Sequence, residues 1–355
     1  MRERHRSTTA MAAFVALAAL AGAGGAMAAK KPAAKPAAAA ANPAIQNAVN
    51  GAYAKFKDLQ EGKNADYIPA LAKVDPKLFG IALVTADGKV YTAGDQTTEV
   101  SIQSISKVFT MARVMQDQGP DAILNTIGVD ATGMRFNSIV SIEMSKKLAG
   151  GPEMNALVNP GAITATSMVQ GATADEIWSK IITTYNDCAG RPLKVLQDVY
   201  ESEAATNQRN QAIGMLMYAY EYIKSEPLRA VDIYTKQCSV GVTAKDLAIM
   251  AATLAFGGQN PVTKKQVFDT AIVPKVLAVM ATAGLYDDSG KWLYRTGLPA
   301  KSGVGGGIIA VAPGKFGIAV VSPPLDDAGN SVKAQKTIAE ISNTLGANPY
   351  ASKPH

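Results

Sequence analysis

Two short stretches, about 200 residues apart, constrain this chain more than anything between them. Phe79 to Tyr91, FGIALVTADGKVY, is a pair of apolar runs around Ala-Asp-Gly-Lys, and Gly306 to Val321, GGIIAVAPGKFGIAVV, is a second pair turning at Pro-Gly-Lys. Each is a β-hairpin signal. Between them the pattern predicts helices over 105–118, 136–149, 161–170, 173–186, 191–202, 206–224, 243–256 and 274–283. Thr243 with Asp246 reads as an N-cap, and Gly257-Gly258 as the matching stop. Strands at both ends with helices between them argue for the α+β class and against alternating βαβ units, so a dinucleotide fold and a two-lobed binding protein are disfavoured. The expected architecture is one antiparallel sheet joining the terminal hairpins, with a helical lobe (about 105–283) inserted and a groove between the two as the natural site.

The segment ahead of this fold has a different composition. Arg2, Arg4 and Arg6 precede an apolar run from Met11 to Ala21, then Gly and Ala with an Ala26-Met27-Ala28 cleavage pattern. This reads as a secretory signal peptide over 1–28, followed by a flexible tether over 29–43 made only of Ala, Lys, Pro and one Asn. The folded domain is expected over 44–346, with 347–355 as a tail. The expected location is therefore secreted or periplasmic, with no stable membrane insertion after cleavage. Of the formal net charge of +6, the first 43 residues carry +5, so the folded part has no basic footprint for nucleic acid.

The only histidines are His5 and His355, and the only cysteines are Cys188 and Cys238. A Ser-His-Asp triad, a Cys-His pair, a His-ligated metal and a zinc ribbon are all excluded, and no cofactor is expected. Proton transfer in an enzyme of this composition must run through Lys, Tyr, Asp or Glu. The two cysteines read as buried thiols, with a disulfide as the less favoured alternative.

Ser104-Ile105-Ser106-Lys107 is the only Ser-x-x-Lys in the chain. A serine and a lysine three apart at a helix start share one face, so the amine can reach the hydroxyl. The pair can act as nucleophile and base if burial lowers the lysine from its usual pKa of ~10.4. Taken alone, it is equally a capping serine and a solvated lysine. Near the other end, Lys301-Ser302-Gly303 leads into Gly305-Gly306-Gly307 and a strand. Such a glycine cluster lets a substrate approach backbone N–H groups. Ser-x-x-Lys on a helix and Lys-Ser-Gly on an edge strand form the skeleton of the serine β-lactamase and penicillin-binding fold. Ser-Asp-Asn, Tyr-x-Asn and Glu-x-x-Leu-Asn are all missing, so β-lactam chemistry lacks its supporting motifs.

On longer segments the chain resembles the serine-dependent glutaminases of bacterial type, which share that fold. The resemblance runs from about Asn47 to Gly346 and is carried by SIQSISKVFT (101–110), DATGMRFNSIVSIE (130–143), VNPGAI (158–163), DIYTKQCSVGVTAKDLA (232–248), AGLYDDSG (283–290) and LPAKSGVGGGI (298–308). It implies hydrolysis of L-glutamine to L-glutamate and ammonia, with Ser104 as nucleophile, Lys107 as its base and Tyr234 or Tyr286 relaying a proton to the leaving ammonia. It implies a substrate pocket of Tyr67, Ser104, Asn159, Glu203, Asn210, Tyr234, Tyr286 and Val304. The expected partners are the small-molecule substrate and further copies of the chain, as a dimer or tetramer. The alternatives are a penicillin-recognising acyl-serine hydrolase and a non-catalytic amino-acid-binding protein.

The pocket makes chemical sense for a free amino acid: one acid for the ammonium, neutral amides near the carboxylate, and backbone donors for an oxyanion. One departure from the family pattern stands out. Pro160 follows Asn159, and a residue before proline is pushed toward extended geometry. Burial and a neighbouring charged Lys301 are both expected to lower the Lys107 pKa, giving a rate that rises through roughly pH 6.5 to 9.

Overall fold

The computed structural model describes residues 41–351. The regions read as signal peptide and most of the tether, together with His5 and His355, lie outside the described residues.

Seven strands are present among them: β1 (Gly80–Thr85), β2 (Val90–Gly94), β3 (Val100–Ser101), β4 (Gly241–Val242), β5 (Ala300–Ser302), β6 (Gly307–Ala312) and β7 (Phe316–Val321). Five form one antiparallel sheet in the order β2-β1-β7-β6-β5, and β3 pairs with β4 separately. The two terminal hairpins meet through β1 and β7, with Leu83 opposite Ile318. β5, which carries Lys301 and Ser302, is the edge strand.

The central strands are apolar throughout because both faces are covered. Ile81, Leu83, Ile308, Ala310, Ile318 and Val320 face a core shared with Val49, Ala52, Ile338 and Ile341, from the helices Pro43–Phe56 and Val332–Thr344. Their alternating neighbours Ala82, Val84, Ile309, Val311, Ala319 and Val321 face the larger core of the helical lobe. There the helix Ala244–Ala255 lies against the sheet, opened by the expected capping box of Thr243 and Asp246. The approach is close enough that a Cβ on Gly317 would stand 2.1 Å from the Ala252 backbone nitrogen. Glycine in the strand and small alanines on the helix together permit this contact.

Several expectations change in detail. The first helix starts at Pro43, capped by the Asn42 side chain, so the end of the stretch read as tether belongs to a helix. At the other end Ala347 is buried, so the expected tail packs at its start. The helix expected over 136–149 is two single turns, Val140–Glu143 and Lys146–Ala149. Ser138, Ser141 and Ser145 bond locally or to Tyr222 and compete with a continuous helix. The helix expected over 191–202 is Gln197–Ala204, because Val195 bridges to Val240 first. The helices Pro43–Phe56, Pro227–Cys238, Ser289–Thr296 and Val332–Thr344 were not anticipated. Cys188 and Cys238 are buried free thiols. No helix among the described residues is long and apolar enough to cross a membrane.

Candidate active site

Ser104 sits in a single 3-10 turn, Gln103–Ile105, that runs straight into the helix Ser106–Gln118. The turn is pinned from both sides. Ile102 N–H donates to Val240 O across the β3–β4 ribbon, and the glycine loop after β5 lies directly against it. A Cβ on Gly303 would come within 2.8 Å of Ile102 O, and one on Gly305 within 2.6 Å of Ser101 O. These glycines are required by backbone packing against the Gln103–Ile105 turn, a reason separate from substrate approach.

Seven of the eight predicted pocket residues line one cavity of 290 Å³: Tyr67, Ser104, Asn159, Glu203, Asn210, Tyr234 and Val304. Tyr67 is the exposed member, at 53%. It also lines a wider adjoining cavity of 510 Å³, together with Phe136, Asn137 and Val304. Tyr286 is not in the lining of the first cavity. It stands behind the wall, where its phenol faces the Ser104 side chain and donates to Ser302 O at 3.5 Å, while its ring packs on Phe136 at 4.8 Å between centroids.

Lys107 is buried, and its Nζ donates to Asn159 Oδ1 at 2.6 Å and Leu157 O at 3.4 Å. Among the described residues no hydrogen bond joins it to Ser104. The expected direct contact is absent, and the amine is held by the Asn159 amide instead. Asn159 in turn accepts from Tyr234 Oη at 3.2 Å and donates to Asn210 Oδ1 at 2.9 Å, so Lys107, Tyr234 and Asn210 are tied to one side chain.

Asn159 is not in the extended geometry expected from Pro160. It is the first residue of the helix Asn159–Met168, and Val158 is the extended one. Proline at the second helical position removes an N–H that would have had no partner. The Asn159 N–H is held instead by Phe136 O at 2.7 Å. Gly161 is needed here, because a Cβ would stand 2.0 Å from Asn155 O.

Burial dominates the electrostatics. It lowers the Lys107 amine from 10.5 to about 8, with Cys238 and Glu203 pulling the other way. This corresponds to about 3 kcal/mol against the charged form. Lys301 is not the cause, contrary to expectation; the effect falls on Lys301 itself, which burial and the Lys107 charge push well below the usual range. The Lys301 amine donates to Gly284 O at 2.9 Å and Ser302 O at 2.7 Å, and lies 4.0 Å from the Tyr286 ring centre. Burial raises the Glu203 carboxyl to about 7, offset in part by Gln103 and Lys107. It also raises the Tyr286 phenol to about 12, so that phenol keeps its proton at neutral pH.

Several lining residues are not among the expected site residues, and two of them bear on the chemistry. Gln103 lines the cavity and donates to Glu203 Oε2 at 3.3 Å, and Phe136 carries the Tyr286 ring. Both lie inside segments quoted for the family resemblance, but neither residue type announces chemistry. Among the described residues no group of three His, Cys, Asp or Glu side chains could hold a metal ion.

Comparison with known proteins agrees with this geometry. A glutaminase of Colwellia psychrerythraea is 52% identical over 308 residues, covering 87% of this chain and 98% of that protein. The solved structure of the probable glutaminase YbaS superposes with a TM-score of 0.85 at 44% identity, covering 88% of this chain and all of that one. The Bacillus subtilis glutaminase YbgJ, solved as a covalent complex with 5-oxo-L-norleucine after reaction with 6-diazo-5-oxo-L-norleucine, has a TM-score of 0.75 at 28% identity, covering 87% of this chain and all of that one. The glutaminase family model matches residues 62–350, and with most of the folded chain inside that match, the protein belongs to the glutaminase family.

Proposed function

We propose that this protein hydrolyses L-glutamine to L-glutamate and ammonia through a γ-glutamyl ester on Ser104. The observation that carries the reading is a buried lysine one helical turn from a serine at the cavity wall, with a buried carboxylate and two linked asparagines in the same enclosure. Glu203 takes the substrate ammonium, whose charge restores the carboxylate, and Asn159 and Asn210 receive the α-carboxylate.

Ser104 Oγ attacks the side-chain amide carbon while the neutral Lys107 amine takes its proton. To do so Nζ swings from Asn159 toward the hydroxyl. The backbone N–H groups of Ser104 and Val304 hold the oxyanion. The C–N bond then breaks as the leaving nitrogen gains the proton that Lys107 took from Ser104, relayed by the Tyr286 phenol, which faces Ser104 and takes a proton back from Lys107; Tyr234 instead bonds to Asn159. Water attacks the ester, Lys107 takes its proton, and Ser104 regains one as glutamate leaves. The YbgJ adduct, a covalent complex with 5-oxo-L-norleucine, a compound of glutamine-like length, supports covalent chemistry in a relative of the same fold. The reading includes export through the 1–28 segment, resting on its basic start, apolar run and Ala-Met-Ala pattern, and assembly as a homo-oligomer, resting on the family resemblance.

Ammonia release from L-glutamine, L-asparagine and a γ-glutamyl peptide tests it. Rapid release from glutamine is expected, and release from none of the three contradicts the assignment.

A further inference from the structure

Four described residues other than glycine have a left-handed backbone: Gln103 (φ 48°), Glu221 (φ 59°), Lys264 (φ 64°) and Tyr286 (φ 55°). Glu221 and Lys264 are exposed. Gln103 and Tyr286 are buried, and both stand next to Ser104. A left-handed conformation costs a residue with a Cβ about 1 kcal/mol or more, and glycine would remove that cost. At a buried position beside the nucleophile, the retained side chain needs a task.

Both amide N–H groups of Gln103 have one. Its Nε2 donates to Ser101 Oγ at 3.2 Å and to Glu203 Oε2 at 3.3 Å. Ser101 ends β3, two residues before the turn, while Glu203 belongs to the helix Gln197–Ala204, one hundred positions further along. The left-handed φ aims this side chain across the cavity floor, and the residue that follows it is Ser104. One side chain therefore sets the separation between the reacting hydroxyl and the carboxylate at the opposite end of a bound amino acid.

We propose that Gln103 is a positioning residue that clamps the Glu203 carboxylate to the nucleophile turn and fixes the length of substrate the site accepts. The inference rests on the glutaminase reading above. Its backbone strain is tolerated because the clamp requires that direction. The titratable groups facing Glu203 are Lys107, Cys238, Tyr67 and Tyr234, none of which donates a hydrogen bond to it among the described residues.

Gln103→Gly separates the clamp from the strain, since glycine keeps the φ and loses the amide. The measurements are kcat and KM for glutamine, Kd for L-glutamate, the pH profile and the melting temperature, with Gln103→Ala alongside. For Gln103→Gly the expected result is KM and Kd raised about tenfold or more, a smaller change in kcat, and a melting temperature at or above that of wild type. The limb assigned to Glu203 should also move to higher pH, because its remaining hydrogen-bond donor is gone. Gln103→Ala should show the same binding loss with a lower melting temperature. A Gln103→Gly protein with wild-type KM, Kd and pH limb would overturn the clamp. A wild type that binds glutamate but releases no ammonia from glutamine would instead overturn the activity reading, and the Kd comparison would still decide the clamp.

Discussion

On the helical side of the cavity, Lys107 and Glu203 exchange protons at about 8 and about 7. On the strand side, Tyr286 holds its proton up to about 12 and Lys301 is pushed well below the lysine range. Both sides are buried, so burial alone does not explain the difference. Lys107 is held by a side-chain amide that can rearrange, and faces one carboxyl. Lys301 is held by two backbone carbonyls, Ser302 O in the edge strand and Gly284 O at the end of the helix Val273–Ala283, and faces the Lys107 charge. The helical lobe thus supplies groups that change charge near neutral pH. The strand side supplies Tyr286, whose phenol is protonated at neutral pH before and after any relay, and Lys301, whose amine ties Gly284 to Ser302 beside it.

The pH profile of kcat/KM can break that division. Lys107 works when neutral and Glu203 when ionised, so both give limbs that rise with pH, through about 8 and about 7, and the combined rise is steeper than a single ionisation. Lys107→Arg has the largest expected effect, about a 10³-fold loss of kcat together with the upper limb, because arginine keeps its proton. A variant retaining both the rate and that limb would move the base elsewhere. Tyr286→Phe is expected to cost about 10- to 100-fold in kcat and leave both rising limbs where they are. A shift of either limb would show that the strand side takes part in the titration after all.

How much of this was legible in the sequence follows from the same contrast. The sheet could be read because strands covered on both faces leave uninterrupted apolar runs, as in Gly307–Ala312 and Phe316–Val321. The helices Pro227–Cys238 and Val332–Thr344 went unread although each carries local signals, Glu226 before Pro227 in one, and Ser331 ahead with the left-handed Gly346 behind in the other. At the site, Ser104 and Lys107 stood out by spacing, and Glu203, Asn159 and the tyrosines only through the family resemblance. Gln103 was invisible because its signal is a backbone angle. Of the two causes expected for the Lys107 shift, burial acts and the Lys301 charge does not, since the sequence says nothing about which of two buried lysines bears the cost of their repulsion.

The central claim is covalent chemistry at Ser104, and mass spectrometry of the protein after reaction with 6-diazo-5-oxo-L-norleucine tests it most directly. The account predicts one adduct per chain, located at Ser104, with loss of ammonia release in step with labelling and no adduct in Ser104→Ala. An adduct on another residue such as Lys107 or Cys238, or labelling that persists in Ser104→Ala, would contradict it.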